Sequence, residues 1–175
     1  MKLTSVHLMV LVLGLLTIVS CDELLDELGI SYNTDPHSFT FTVYPMEKGE
    51  QVLDVDTITI DFEKELEENG ISSIGLVEEI VIQEVIFTLV DGLDNFNNFE
   101  SFEVFINAPG LSEKKMAWLD KIPEGATTLS PNILDVNLVD YITKEKYMVK
   151  LKAVLTENIE KTVLISAEIK YKVST

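Results

Sequence analysis

The fold class is decided by two neighbouring stretches of sequence, YMVKLKAVL (Tyr147–Leu155) and KTVLISAEIKYKV (residues 161–173). In both stretches apolar and polar residues alternate, which is the period of a β-strand that buries one face. Because only the short connection TENIE separates them, we expect the two strands to pair as a β-hairpin. Lysines on the outer faces of both strands would oppose edge-to-edge association.

The same period of two recurs through the body of the chain. Further strands are predicted at residues 38–44, 51–60, 79–90, 99–107, 115–119 and 132–138. The apolar run at 79–90 predicts a central strand that is buried on both faces for much of its length, with an interruption near Gln83 and Glu84. A buried helix is the alternative, and the content of Ile and Val favours the strand. One short helix is predicted at 62–69, closed by Gly70, and one helical turn at 139–142. This pattern predicts an all-β fold, an antiparallel β-sandwich of the Ig-like or jelly-roll-like kind, as a single domain over 37–175.

Composition excludes several classes of function. The 175 residues include 13 lysines and no arginine against 30 acidic residues, for a formal charge of −17. Nucleic-acid binding needs clustered cations, so no nucleic-acid partner is expected. Neither glycine-rich nucleotide signature is present, so we expect no nucleotide and no cofactor. A single cysteine allows no intrachain disulfide.

The N-terminus reads MKLTSVHLMVLVLGLLTIVSC over residues 1–21. Lys2 precedes an apolar stretch at 8–19, which suits the helix of a signal peptide better than a transmembrane span. The stretch ends in Ile18-Val19-Ser20-Cys21, which resembles the lipobox of bacterial lipoproteins. That resemblance implies removal of residues 1–20 by cleavage between Ser20 and Cys21, and acylation of Cys21 by a diacylglycerol carrying chains such as palmitate. An ordinary signal peptide and an uncleaved anchor are the alternatives.

Residues 21–36 are predicted to form an acidic tether between this anchor and the sandwich. Removing residues 1–20 takes away Lys2 and changes the formal charge from −17 to −18. Anionic headgroups repel such a chain, so the lipid must hold it to the membrane. In lipoproteins of the Bacteroidetes, acidic residues after the cysteine resemble a surface-export signal, whereas in enterobacteria an Asp at that position resembles an inner-membrane retention signal. We expect a lipid-anchored protein of the cell envelope, at the outer membrane and exposed at the surface.

Few side chains are available for chemistry. His37 is the one imidazole that remains after cleavage, and its place beside Pro36 does not suggest a catalytic base. Oxygen ligands for calcium stand close together in one loop, at Asp91, Asp94, Asn95 and Asn97. The same residue types form the turn bonds that a connection between strands needs, and that alternative is preferred.

Three aromatic residues are candidates for ligand contact. Trp118 can serve as a stacking platform for a sugar, or can plug the core, and the core role is preferred. Phe96 and Phe99, flanked by asparagines, can form an exposed pair at a loop tip or can cap one end of the sandwich. No catalytic residues and no metal site are assigned on these grounds.

The chain also resembles small β-sandwich lipoproteins of the Bacteroidetes that have no assigned function. The resemblance rests on the layout of ELEENG (65–70), FEVFINA (102–108), Ile122-Pro123 and VDYI (139–142). It implies an envelope location and a sandwich architecture, and it supplies no catalytic residues. The function expected is a non-enzymatic binding or accessory module for a glycan, a protein or an envelope component. The alternatives are a carrier of a lipid or small apolar ligand between the sheets and a carboxylate-based hydrolase.

Overall fold

Two antiparallel β-sheets enclose a continuous hydrophobic core. The structure, a computed structural model, describes residues 29, 31–58, 62–144 and 146–175. The predicted signal peptide, the lipidation site and most of the tether lie outside these residues. Rings from opposite sheets meet in the core, as between Phe87 and Phe102, whose centroids are 5.9 Å apart. The prediction of an all-β sandwich is confirmed.

The first sheet contains β1 (Ser31–Asn33), β2 (His37–Val43), β4 (Glu79–Asp91), β7 (Thr128–Leu129) and β10 (Val163–Ser174). The second sheet contains β3 (Gly49–Ile58), β5 (Phe99–Asn107), β6 (Lys114–Leu119), β8 (Asn132–Ile133) and β9 (Tyr147–Leu155). Between the strands lie helix α1 (Phe62–Glu68), a 3-10 turn (Ile74–Leu76) and the single helical turn α2 (Val139–Ile142). In the first sheet β1 and β2 follow one side of β10, and β4 and β7 follow its other side. The second sheet has the order β3-β9-β5-β6-β8.

The strands β9 and β10 form as predicted, but the prediction that they pair with each other as a hairpin is wrong. β9 pairs with β3 and β5, whereas β10 pairs with β1, β2 and β4 in the other sheet. The connection between them therefore crosses the sandwich. Its buried Ile159 exchanges two backbone hydrogen bonds of 2.9 Å with Met46. Alternation identifies the inner face of each strand, and these two inner faces meet across the core instead of lying side by side.

Strand β4 contains the interruption that the sequence predicted. Ile82 pairs with Tyr171 and Glu84 with Lys170, which leaves Gln83 as the extra residue of a β-bulge. The bulge moves the inward positions from Ile80 and Ile82 to Val85 and Phe87, so one face stays buried from Ile80 to Phe87. Burial on both faces was a wrong prediction, because the outer face is partly exposed and Val90 is 60% exposed.

The predicted strand at 132–138 pairs only at Asn132 and Ile133. The Leu134 N–H still donates to the Met116 carbonyl at 2.8 Å, and Asn137 holds the residues that follow. Its Oδ1 accepts from the backbone N–H groups of Ile80 and Val139 at 3.1 and 3.0 Å, and its Nδ2 donates to the Glu78 carbonyl at 2.8 Å. These side-chain bonds tie the segment to the start of β4 and lead it into α2.

The β-sandwich begins before residue 37, because β1 at Ser31–Asn33 belongs to the first sheet. β1 pairs with the last residues of β10, and the buried Thr34 accepts a hydrogen bond from the Tyr171 N–H at 3.0 Å through its hydroxyl. Residues 31–36, the last part of the predicted tether, therefore lie at the end of the sandwich that also carries α1, α2 and Thr175, which we call the tether end. The opposite end, formed by residues 44–48, 92–98, 120–127 and 156–162, is the loop end. No helix among the described residues has the length and hydropathy needed to span a bilayer.

Candidate functional site

Trp118 lies on the outer face of the second sheet, not in the core. It stands opposite Glu103 on β5, while its neighbour Ala117 stands opposite the inward-facing Val104. A register shift near Met116 lets Met116 and Ala117 both face inward, so that Trp118 points outward and stays partly exposed. The preferred core role is thus corrected, because Trp118 is partly exposed on the outer face.

A shallow depression of about 250 Å³ lies on the same face, and Trp118 is connected to its lining through its cross-strand neighbour Glu103 and is not itself part of that lining. The side chains around it belong to β3, β5, β9 and the residue after β6, and they include Glu50, Ser101, Glu103, Asp120, Lys152 and Val154. Glu103 is the cross-strand neighbour of Trp118. Three carboxylates can accept hydrogen bonds here, and an ammonium and a hydroxyl can donate them. This mixture beside an aromatic ring suits a ligand rich in hydroxyl groups.

Phe105 lies among three lysines, of which Lys152 lines the depression. The ammonium groups of Lys115, Lys150 and Lys152 lie 5.7, 5.4 and 4.7 Å from the centroid of its ring. Lys115 pairs with Glu103 and Lys150 with Glu113. Lys152 forms no ion pair with a described residue, so its ammonium remains available at the depression. Phe105 positions charge and is itself covered by ammonium groups.

Phe96 and Phe99 are buried, with 0% and 2% exposure. Their rings pack on Phe102, with centroid distances of 5.7 and 4.9 Å. The interpretation as an exposed loop-tip pair is therefore corrected: the two rings cap the core at the loop end, as the alternative had it.

The candidate calcium loop uses its oxygens for its own turns. Asp91 Oδ1 accepts from the Gly92 N–H at 2.8 Å, and Asn95 Oδ1 from the Asn97 N–H at 3.0 Å. Asn97 Oδ1 accepts from the Gly125 N–H at 2.8 Å. Asp94 belongs to the same loop, yet within the described ranges no three His, Cys, Asp or Glu side chains converge as metal ligands. The turn-forming alternative accounts for the arrangement.

A polar cluster at the tether end was missed by the sequence analysis. The Nε2 atom of His37 lies 3.2 Å from Glu65 Oε2 on α1, and the His37 ring is 5.6 Å from that of Tyr171. The hydroxyls of Tyr147 and Tyr171 are 3.5 Å apart. Burial raises the pKa of Tyr171 to about 12, and burial with the nearby Glu65 charge raises the pKa of Tyr32 to about 12. We call these five residues the tether-end cluster.

A cavity of about 350 Å³ adjoins the tether-end cluster. Its lining contains Asn33, Asp35, Lys64, Glu68 and Asn69 besides His37 and Glu65, with no serine, threonine or cysteine. The His37–Glu65 pair therefore has no hydroxyl or thiol nucleophile to activate within this lining.

A cavity of about 750 Å³ lies at the loop end. Its polar lining includes Lys48, Asn98, Glu157, Asn158, Glu160 and Lys161. The connection after β9 is held there by hydrogen bonds from Thr156 to the carbonyls of Asn97 and Asn98, at 3.1 and 2.9 Å. Among the described residues that line this cavity none is aromatic.

The chain is an antiparallel β-sandwich with a polar depression on the outer face of one sheet. Neither a known protein family nor a curated protein was found to match it.

Proposed function

We propose that this chain is a lipid-anchored protein of the cell envelope whose sandwich binds a neutral glycan on the outer face of the second sheet. The observation that carries the proposal is the outward placement of Trp118 as the cross-strand neighbour of Glu103, which lines the depression together with Lys152. A pyranose ring has an apolar face that packs on an indole, and its hydroxyl groups need both donors and acceptors.

The charges of the depression favour an uncharged ligand. Glu50, Glu103 and Asp120 outnumber the single Lys152 there, so a sugar acid would meet net repulsion. Sugar hydroxyls instead donate to carboxylates in charge-assisted hydrogen bonds. The depression is smaller than the range of about 300–1,000 Å³ typical of sites for drug-sized ligands. It therefore suits one residue of a glycan chain that continues along the open sheet face.

The interior of the sandwich supports a surface site over a carrier function. A carrier of an apolar ligand needs space between the sheets, and the rings of Phe41, Phe87 and Phe102 are in contact there. Their centroids are separated by 6.3 Å for Phe41 and Phe87 and by 5.9 Å for Phe87 and Phe102. All three side chains are buried.

The lipobox supports the anchored location. The chain between Cys21 and β1 spans at most about 33–36 Å when extended, so the body stays close to the bilayer. The proposed binding face lies along the side of the sandwich, between the tether end and the loop end. A glycan at the membrane surface can reach it without displacing the anchor.

The binding proposal is tested with the full-length protein in detergent micelles by affinity electrophoresis through gels containing a neutral α-glucan, β-glucan or α-mannan. We expect retardation in at least one gel, a loss of affinity of about tenfold or more in Trp118→Ala, and partial retention in Trp118→Phe. Val55→Ala is the matched control, because Val55 is 47% exposed on the same face away from the depression. Unchanged migration in all three gels, or a Trp118→Ala variant that binds like the parent, would refute the proposal.

The anchor is tested separately by growing cells with radiolabelled palmitate. The parent chain should take up the label and sediment with membranes, and Cys21→Ala should do neither. An unlabelled parent chain would overturn the anchoring half of the proposal and leave the binding half standing.

A further inference from the structure

Helix α1 is followed directly by the pair Asn69-Gly70. The sequence contains nine asparagines, and Asn69 is the one that precedes a glycine. An asparagine loses its side-chain amide when the backbone nitrogen of the next residue attacks its Cγ atom, and glycine hinders that attack least because it has no Cβ. Both residues are exposed, and a Cβ added to Gly70 would meet nothing within 4 Å. The pair therefore has the chemistry and the water access that deamidation needs.

The attacking nitrogen belongs to the C-terminal cap of α1. The Gly70 N–H donates to the Glu67 carbonyl at 3.0 Å, and the Ile71 N–H donates to the Leu66 carbonyl at 2.9 Å. With a left-handed φ of +82° at Gly70, these two bonds form a Schellman motif, and Leu66 and Ile71 are buried as its apolar pair. The Gly70 N–H must give up its bond to Glu67 before a base can remove the proton.

The amide that would leave belongs to the same cap, and the charges around it are unfavourable. Asn69 Nδ2 donates to the Glu65 carbonyl at 2.8 Å. The last turn of α1 contains no basic residue. Glu68 pairs with Lys64 at 3.7 Å, whereas Glu67 has no ion pair within the described part of the chain. Because the C-terminus of a helix carries partial negative charge, these carboxylates weaken the cap and favour its opening.

We propose that Asn69 is a site of spontaneous deamidation in the folded protein, at a rate set by opening of the α1 cap. The Gly70 nitrogen loses its proton and bonds to Asn69 Cγ, and the Cγ–Nδ2 bond breaks. The leaving nitrogen takes up that proton and departs as ammonia, which leaves a succinimide ring. Water then opens the ring at one of its two carbonyl carbons and gives aspartate or isoaspartate.

Either product loosens the last turn of α1. A carboxylate replaces the Nδ2 donor, so the Glu65 carbonyl loses a hydrogen bond and a negative charge appears at the C-terminus of the helix. Isoaspartate also adds a methylene to the backbone before Gly70, which disturbs both bonds of the Schellman motif. Asn69 lines the cavity at the tether end, so the change occurs beside Asp35 and Pro36 of the predicted tether.

The reaction is tested by incubating the full-length protein in detergent micelles at mildly alkaline pH, with and without urea, followed by digestion and mass spectrometry. Peptides covering 62–76 should gain the mass of an amide-to-acid conversion before the peptides that contain the other asparagines. Conversion should be about 5- to 30-fold slower without urea, because two hydrogen bonds must open first. No conversion in the folded protein, or equal rates with and without urea, would refute the proposal.

Two variants separate the cap from the chemistry. Glu67→Lys places a cation in the last turn, so conversion should slow by about threefold in the folded protein and stay unchanged in urea. Asn69→Gln keeps an amide but closes a ring slowly through its longer side chain, so its peptides covering 62–76 should keep their mass. A Glu67→Lys protein that converts at the parent's rate when folded, or a gain of mass in Asn69→Gln, would contradict the proposal.

The effect on α1 is measured by hydrogen–deuterium exchange of the same peptides. Asn69→Asp reproduces the aspartate product, and residues 62–76 should exchange about threefold faster in it than in the parent. Asn98→Asp adds the same charge at the loop end and is the matched control, which should leave the exchange of 62–76 unchanged. Equal exchange in Asn69→Asp and the parent would show that the modification does not loosen the helix.

Discussion

The backbone N–H of Thr42 donates a hydrogen bond of 2.7 Å to Asp54 Oδ2, which joins an edge strand of one sheet to an edge strand of the other. The second oxygen of Asp54 accepts from the Val55 N–H at 2.8 Å. A register shift in β3 next to Asp54 brings the carboxylate into this position. One side chain therefore satisfies donors on both β2 and β3 at the side of the sandwich where both sheets end.

Replacing Asp54 by alanine removes a charge-assisted acceptor and leaves the Thr42 N–H without a protein partner. Because the site is only partly buried, we expect Asp54→Ala to lower the free energy of unfolding by about 1–2 kcal/mol. Urea denaturation followed by circular dichroism measures the change. Asp56→Ala is the matched control, since Asp56 lies on the same strand without such a bond, and an equal loss there would show that strand charge alone is responsible.

The sequence predicts which residues face the core better than it predicts which strands are neighbours. Alternation in 147–155 and 163–173 identifies the inner faces correctly, yet either a hairpin or a crossing between sheets can follow the same short connection. The crossing depends on the contact of Ile159 with Met46, which lies far away in the chain. The strand Phe99–Asn107 and the turn Val139–Ile142 were predicted to the residue, because local pattern and turn residues determine their ends.

The candidate sites show a similar division. Trp118 belongs to the apolar run Met116–Leu119, and because this run does not alternate, the sequence does not predict on which face of the sheet the indole lies. The register shift near Met116 turns Trp118 outward. The pairing of His37 with Glu65 has no spacing signal, because packing of α1 brings together residues that are distant in sequence. Asn95 behaves as its residue type predicts, since its bond to the Asn97 N–H is local. The bond from the Gly125 N–H to Asn97 Oδ1 joins residues that are distant in sequence, and no local pattern predicts it.

Gly92 marks a place where a side chain is excluded by backbone. Its φ is +99°, and an added Cβ would lie 2.5 Å from the Thr162 carbonyl oxygen and 2.7 Å from Val163 Cα. Gly92→Ala should therefore cost about 3 kcal/mol or more, from left-handed strain together with displacement of β10. Gly110→Ala, at φ +82° with nothing nearby, should show the strain alone, about 1–2 kcal/mol. Equal losses in thermal or urea unfolding would show that the close approach at Gly92 carries no cost.

Phe102 connects the aromatic cap of the loop end to the core between the sheets. It stacks on Phe99 at 4.9 Å and contacts Phe87 on the opposite sheet at 5.9 Å. We expect Phe102→Ala to lower the free energy of unfolding by about 3–5 kcal/mol, because it leaves a cavity that both sheets border. Phe102→Leu should cost clearly less, since much of the volume is retained. A similar cost for the two variants in urea denaturation would mean that the cap collapses around the missing ring.

The buried phenols of Tyr147 and Tyr171 predict how stability depends on alkaline pH. Burial raises the pKa of Tyr171 from 10.0 to about 12 and that of Tyr147 well above its usual value. Between pH 10 and pH 12 the unfolded chain therefore releases protons that the folded chain keeps. The contribution of these phenols to the free energy of unfolding is complete below pH 10. Above pH 10 the free energy of unfolding falls by about 1.4 kcal/mol per pH unit for each such tyrosine. Urea midpoints measured from about pH 9 to about pH 11 should fall less steeply for the double variant Tyr147→Phe/Tyr171→Phe than for the parent. Tyr44→Phe, which removes a phenol that is 63% exposed, is the control, and a double variant with the parent's slope would show that these two hydroxyls do not govern alkaline unfolding.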